Sequence, residues 1–166
     1  MNERASTQIF ADDLMVGQAF TGEVRPVGDD QFADFARITG DDHPIHYDDA
    51  YAAKTRFGKR LAHGLLVMSM TALGATSMSR RIEDAMVAFI EQGARFLKPV
   101  FVGDTLQSHF EVAAIDRKPG RDVASVRFNV RLVNGRNEVV LEGHHTYLLL
   151  SRPNSDTVIV RSPDAV

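Results

Sequence analysis

Hydrophobic and polar residues change rhythm along this chain, and the changes mark its elements. Val126, Phe128, Val130 and Leu132 alternate with Arg127, Asn129 and Arg131, the period of a strand with one wet face. Residues 86–97, 105–116 and 138–150 are further strands, the first of them stopped by Pro99. Lys118-Pro119-Gly120 marks a turn, and Asn134-Gly135 is a strong hairpin signal. Upstream, residues 20–27 read as a first strand. Asp29 or Asp30 can cap a helix running through Ile38, with Phe32, Phe35, Ala36 and Ile38 on one face and Gly40 at its end. Asp48 can cap a second short helix to about Lys54, which leads into a basic loop over 54–60.

Between these halves, residues 61–79 hold no Asp, Glu, Lys or Arg. Gly64, Ser69, Thr71, Gly74, Thr76, Ser77 and Ser79 leave too few strongly apolar residues for a lone membrane span. A helix without a charged face is expected to be buried on all sides. The order is then strand, short helices, one long buried helix and four turn-connected strands. Turn-connected strands favour an antiparallel sheet, so the class is α+β. A sheet with one face to bury and a helix apolar all round are both satisfied if the sheet curls around the helix, which is a hot-dog fold. The expected organisation is a single domain over 1–166, with its core at about 15–150 and a polar tail over 151–166.

Composition narrows the function. The chain has 166 residues, 44% hydrophobic and 25% charged, enough for one domain with a sizeable core. A net charge of −3 provides no broad cationic field, so neither nucleic acid nor a membrane surface is an expected partner. The absence of Cys removes thiolate catalysis and Cys-based zinc sites. Residues 1–8 are polar and carry Glu3 and Arg4 without an apolar core, unlike a secretory signal; a cytoplasmic location is the expectation.

The chemistry concentrates in Gly40-Asp41-Asp42-His43-Pro44-Ile45-His46. Gly and Pro punctuate a loop that can aim a carboxylate and an imidazole at one point, where they can grip a water and move its protons. Two plainer readings stand beside this one. Asp41 can cap a turn with both histidines solvated, or Asp41, Asp42, His43, His46 and His63 can hold a metal ion. There is no Gly-x-Ser-x-Gly elbow to support a serine nucleophile.

The segment 35–64 resembles the signature of the MaoC-like dehydratases, the group that contains (R)-specific enoyl-CoA hydratases. That pattern runs Gly-Asp-x-Asn-Pro-aliphatic-His, then an acidic and Ala-rich stretch, then a hydrophobic residue, His and Gly. The chain matches it with Gly40, Asp41, Pro44, Ile45 and His46, then Asp48, Ala52 and Ala53, then Ala62-His63-Gly64. Residues 96–100 and 102–106 are similar to the family's strand–turn segment, so the likeness covers about 20–150. It implies reversible syn addition of water to a trans-2-enoyl-CoA, giving an (R)-3-hydroxyacyl-CoA, in fatty acid metabolism. On that resemblance Asp41 and His46 are the catalytic pair, and the backbone N–H of Gly64 is the donor to the enolate oxygen. His43, Pro44, His63 and Ser69 support the loop or line the pocket. Lys54, Arg56, Lys59 and Arg60 are candidate contacts for coenzyme A phosphates. No cofactor is implied beyond the coenzyme A of the substrate, and no metal. Hot-dog proteins usually pair sheet edges, and an open edge invites a partner strand, so a homodimer or larger homo-oligomer is expected.

The chain departs from the pattern twice. His43 stands where the family has Asn, and Ala72 stands where some hydratases carry a serine, which Ser69 or Thr71 can replace. The scaffold also hosts thioesterases and non-catalytic acyl-thioester binding modules, which remain alternatives. His144 and His145 should point to opposite faces of a strand.

Overall fold

Two short strands, β1 (Ala19–Thr21) and β2 (Arg25–Pro26), precede four long ones, β3 (Met86–Phe96), β4 (Thr105–Arg117), β5 (Val123–Asn134) and β6 (Val139–Leu150). The computed structural model describes residues 8–117 and 119–152. Segment 1–7, Lys118 and the expected polar tail beyond Arg152 lie outside the described residues. The strands form one antiparallel sheet in the order β1-β4-β5-β6-β3, with β2 also pairing to β4. The expected first strand is therefore two short pieces. Pro26 has no N–H to extend a ladder, and the chain leaves β1 at Gly22, whose N–H bonds Ser108 O while its Cα side abuts the Ser108 hydroxyl.

Alternation works as the pattern predicts. Ala124, Val126, Phe128, Val130 and Leu132 of β5 are buried, as are Leu106, Phe110 and Val112 of β4. The β5–β6 hairpin turns over 135–138 with Asn137 at φ 60°, not on Gly135 in the left-handed region. Asn134 closes it, its Oδ1 accepting the N–H groups of Arg136 and Glu138 at 3.0 Å each.

Helix α1 (Asp29–Thr39) has Gly28 as its N-cap, not Asp29 or Asp30; the Gln31 side chain accepts the Gly28 N–H at 2.9 Å. Gly40 ends it at φ 76°, a left-handed conformation that suits glycine. Within the motif, Pro44–Tyr47 forms the single-turn helix α2, and Asp49–Ala52 forms α3, capped by Asp48 as expected but shorter than expected.

The segment 61–79 is not one continuous helix. It folds as α4 (Gly64–Ser69), a 3₁₀ turn over Leu73–Ala75, and the start of α5 (Ser77–Arg81). The hydroxyls of Ser69, Thr71 and Thr76 each donate at 2.7 Å to the carbonyl three residues back. Such bonds compete with the regular ladder and tighten each turn. Nor is the segment buried all round: Leu66, Val67, Leu73 and Met78 face the sheet while Leu65 is 61% exposed. The broken rod still lies in the curl of the sheet. α4 packs with Phe32 of α1 against Leu106, Leu132 and Leu141, and Leu73 and Met78 pack against Phe110, Phe128 and Tyr147. The hot-dog arrangement thus holds with an interrupted central helix.

Candidate active site

The left-handed Gly40 turns the chain out of α1 and into the motif. Thr39 Oγ1 accepts the Asp41 N–H at 3.2 Å, and Asp41 Oδ1 accepts the His43 N–H at 3.4 Å. His43 is the N-cap of α2: its Nδ1 accepts the Ile45 N–H at 3.2 Å, and Pro44 follows in the first turn, where its missing N–H costs nothing. An asparagine amide oxygen at this position could accept the same N–H, so His43 can serve as the cap that an Asn would provide.

His46 is half-buried, and its Nδ1 lies 2.6 Å from the Leu61 carbonyl oxygen. A carbonyl only accepts, so Nδ1 carries the proton and Nε2 keeps its lone pair as a base. The exposed Asp41 carboxylate, a His46 nitrogen and a His63 nitrogen all lie within 4.8 Å of one another. His63 is buried, and its ring stacks on His46 with centroids 3.7 Å apart and planes 24° from parallel. Its Nε2 lies 2.9 Å from the Tyr47 hydroxyl and 3.3 Å from the Asp41 backbone carbonyl. Burial, and then the neighbouring His46, hold the His63 imidazole below the ordinary histidine pKa. Burial, and then Asp41 and Asp42, raise that of Tyr47.

As metal ligands these groups fit poorly. Lone pairs of two nearly parallel, stacked imidazoles run side by side instead of converging on one ion.

Gly64 opens α4 directly after His63 and is exposed. In this first turn its N–H has no helical acceptor. The Phe96 ring lies against it, and a groove of about 300 Å³ runs past it between Phe57, Val67, Leu97 and Pro99, with Arg56 and Lys98 among its lining.

The four basic candidates part company. Arg60 bonds Asp29 at 2.6 Å and Asp49 at 2.8 Å with its side chain 15% exposed, so it clasps α1 to α3 and is not free for a phosphate. Arg56 lies over Phe57, Lys59 over Phe101, and Lys54 is exposed. Ser69 is the last residue of α4 and Thr71 lies just past it. Ser69 lines a second cavity of about 350 Å³ with Met68, Ala72, Phe89, Gln92 and Tyr147. Thr71 is buried against His145, whose Nε2 is 3.0 Å away. His145 faces the core and His144 the opposite side of the sheet, near Glu91.

Tyr47 escaped the sequence reading. It follows His46 directly, and only its place within a helical turn, one residue on from a catalytic candidate, could have drawn attention to it.

The sequence pattern of the MaoC like domain family matches residues 14–134. The 3-hydroxybutyryl-CoA dehydratase of Methylorubrum extorquens is 28% identical over 92% of this chain and 92% of its own length. The (R)-specific enoyl-CoA hydratase of Aeromonas caviae is 33% identical over 63% of this chain and 75% of its own. Among solved structures, a monoamine oxidase regulatory protein from Archaeoglobus superposes with a TM-score of 0.82 at 31% identity, covering 90% of this chain and 99% of that one.

Proposed function

This chain belongs to the MaoC-like domain family, and from that premise we propose that it is an acyl-thioester hydratase/dehydratase. The reaction is reversible addition of water across a trans-2-enoyl thioester to give an (R)-3-hydroxyacyl thioester. One observation carries the reading. The Asp41 carboxylate and a His46 nitrogen lie within 4.8 Å of each other, and Leu61 O holds the imidazole through Nδ1, which leaves Nε2 and the carboxylate to take one water between them.

The dyad grips that water. One member takes a proton from it as its oxygen attacks the β-carbon, and a proton is delivered to the α-carbon on the same face. The charge that develops on the thioester oxygen is met by the Gly64 N–H. Every step uses side chains and backbone of this chain, without a cofactor or a metal; coenzyme A arrives as part of the substrate.

The groove past Gly64 suits the pantetheine arm, with Arg56 at its side and Lys54 and Lys59 nearby in sequence as contacts for the phosphates. We place the enzyme in the cytoplasm, in fatty acid metabolism; no helix among the described residues is long and apolar enough to cross a membrane. It works as a homodimer. Among the described residues β3 pairs with β6 along one side only, and it carries Val87, Phe89, Ile90 and Phe96, each about half exposed. Such a strand is a template for a second copy.

A trans-2-enoyl-CoA loses its enoyl-thioester absorbance when hydrated and releases no thiol. A hot-dog thioesterase would release thiol, and a binding module would do neither. Loss of absorbance without thiol across short, branched and long enoyl-CoA esters supports the proposal; thiol release or inertness overturns it.

A further inference from the structure

His63 touches both members of the dyad, and Tyr47 holds His63. The imidazole face lies 3.7 Å from the His46 ring. Its Nε2 reaches the Asp41 backbone carbonyl at 3.3 Å and the Tyr47 hydroxyl at 2.9 Å. A carbonyl only accepts, so the network assigns the His63 proton to Nε2. The Tyr47 hydroxyl then donates onward to the carbonyls of Phe32 at 3.0 Å and Asp41 at 3.1 Å, which it shares. Phe32 stands edge-on to the His63 ring at 5.5 Å and Phe35 lies against it at 4.6 Å, so α1 closes the other sides. His63 Nδ1 is buried and has no hydrogen-bond partner among the described residues. Leaving a buried polar nitrogen unpaired is costly. An apolar residue of the same shape would pack here without that cost, so shape alone does not account for an imidazole.

From this we infer that Tyr47 and His63 are the positioning pair of the dyad, Tyr47 fixing the His63 ring, which in turn fixes the His46 ring plane by stacking and the Asp41 backbone by hydrogen bonding. The inference rests on the hydratase reading for its catalytic meaning, though not for its geometry. Neither residue touches substrate in this scheme. Each acts through the two groups that hold the water, whose placement to within about 1 Å can be worth about a hundredfold in rate. The low proton affinity of buried His63 serves the same end, because a cation stacked on His46 would oppose any proton that His46 takes up.

Three variants test it: His63→Ala, which removes ring and hydrogen bond; His63→Phe, which keeps a ring to stack; and Tyr47→Phe, which removes only the hydroxyl. Expected are a kcat loss of about a hundredfold in His63→Ala, a smaller loss in His63→Phe, and about three- to tenfold in Tyr47→Phe, the usual worth of one hydrogen bond. KM should stay unchanged in all three. Independently of turnover, the His46 Cε1–H proton signal should show the upfield shift of a stacked ring in wild type and His63→Phe, and lose it in His63→Ala. If His63→Ala does not fold, His63→Phe and Tyr47→Phe still decide, since both fill the space. A merely structural role would lower thermal stability while leaving kcat per folded molecule and the His46 signal unmoved, and that result overturns the inference. If wild type hydrates no enoyl-CoA, the functional reading falls, and the His46 signal alone decides whether the pair positions the ring.

Discussion

Gly64 and Phe96 stand so close that a β-carbon on Gly64 would come within 3.3 Å of Phe96 Cζ. The end of β3 therefore roofs the start of α4, at the N–H proposed to meet the thioester oxygen. Phe96 is 50% exposed and its ring can swing away, so Gly64→Ala should fold with little loss of stability. The added methyl would then occupy the approach of the thioester. The backbone N–H survives in Gly64→Ala, but a methyl that keeps the thioester oxygen from reaching it forfeits its contribution, so a kcat loss of up to the roughly hundred- to thousandfold that a missing oxyanion donor costs is expected. The double variant Gly64→Ala/Phe96→Ala should not recover it. Recovery would mean that the damage came from a displaced ring, and that the thioester oxygen binds elsewhere.

The dyad itself predicts a particular arithmetic. Asp41→Asn keeps size and polarity while losing the proton acceptor, and His46→Gln loses the bare Nε2. Each should lower hydratase turnover by about a hundred- to ten-thousandfold. Because the two groups hold one water as a unit, the double variant should be hardly slower than the worse single one. Steady-state rates on one enoyl-CoA, with circular dichroism to confirm folding, check this. A multiplicative loss would show that the groups act in separate steps.

His43 caps α2 through Nδ1, so His43→Asn should keep activity within about threefold, since an amide oxygen accepts the same N–H. His43→Ala removes the cap, at a cost of about 1 kcal/mol in stability, and should loosen the turn that carries His46. Chemical denaturation and initial rates on both variants give the answer. A loss in His43→Asn as large as in Asp41→Asn would make His43 itself catalytic.

What the sequence shows, and what it hides, follows from the range of the interactions. Strands β4, β5 and β6 were legible because each buries one face, and period-two alternation records this locally, as along Val126–Leu132. Asp41 and His46 were legible because a short loop with fixed backbone punctuation holds them together. The break in 61–79 was not: the absence of charge records burial, while the hydroxyl bonds of Ser69, Thr71 and Thr76 that interrupt the helix leave hydropathy almost unchanged. Arg60 looked like its basic neighbours, and only the meeting of α1 with α3 around it shows a clasp. The roles of Tyr47 and His63, sixteen residues apart, depend on the chain returning to itself.

The open edge of β3 predicts the assembly. Ile90 is 56% and Phe89 53% exposed on a strand whose other side is already paired. Light scattering at micromolar concentration should give a mass at least twice the 18.4 kDa of the chain. A charge placed on the edge, as in Ile90→Glu, should move the population toward monomer, as charged edge residues do in natural sheets. A stable, fully active wild-type monomer would refute the dimer.

Stability should fall in mild acid, and His145 sets the window. It is 2% exposed, its Nε2 bonded to Thr71 and its Nδ1 3.3 Å from the Tyr147 hydroxyl. Burial, and then the neighbouring His144, push its pKa down to about 4. Above the ordinary value of about 6.5 the ring is neutral in both states and costs nothing. As pH falls from there toward 4, the unfolded chain takes up a proton that the folded one refuses, so stability drops with pH. Across that span the loss approaches about 3 kcal/mol, at about 1.4 kcal/mol per pH unit. Below 4 both states are protonated and this contribution is fully lost. His63 and His109, also lowered first by burial, add losses of the same sign. Glu138, held at about 2 by Asn134, Lys98 and Arg136, contributes only below its ordinary value of 4.5, so the interval from pH 6.5 to 5 belongs to the buried histidines. Urea unfolding at half-unit steps across that interval should show the decline in wild type and a shallower one in His145→Gln, which starts lower at neutral pH for want of one hydrogen bond. Equal slopes in the two proteins would mean that His145 is not held neutral in the fold.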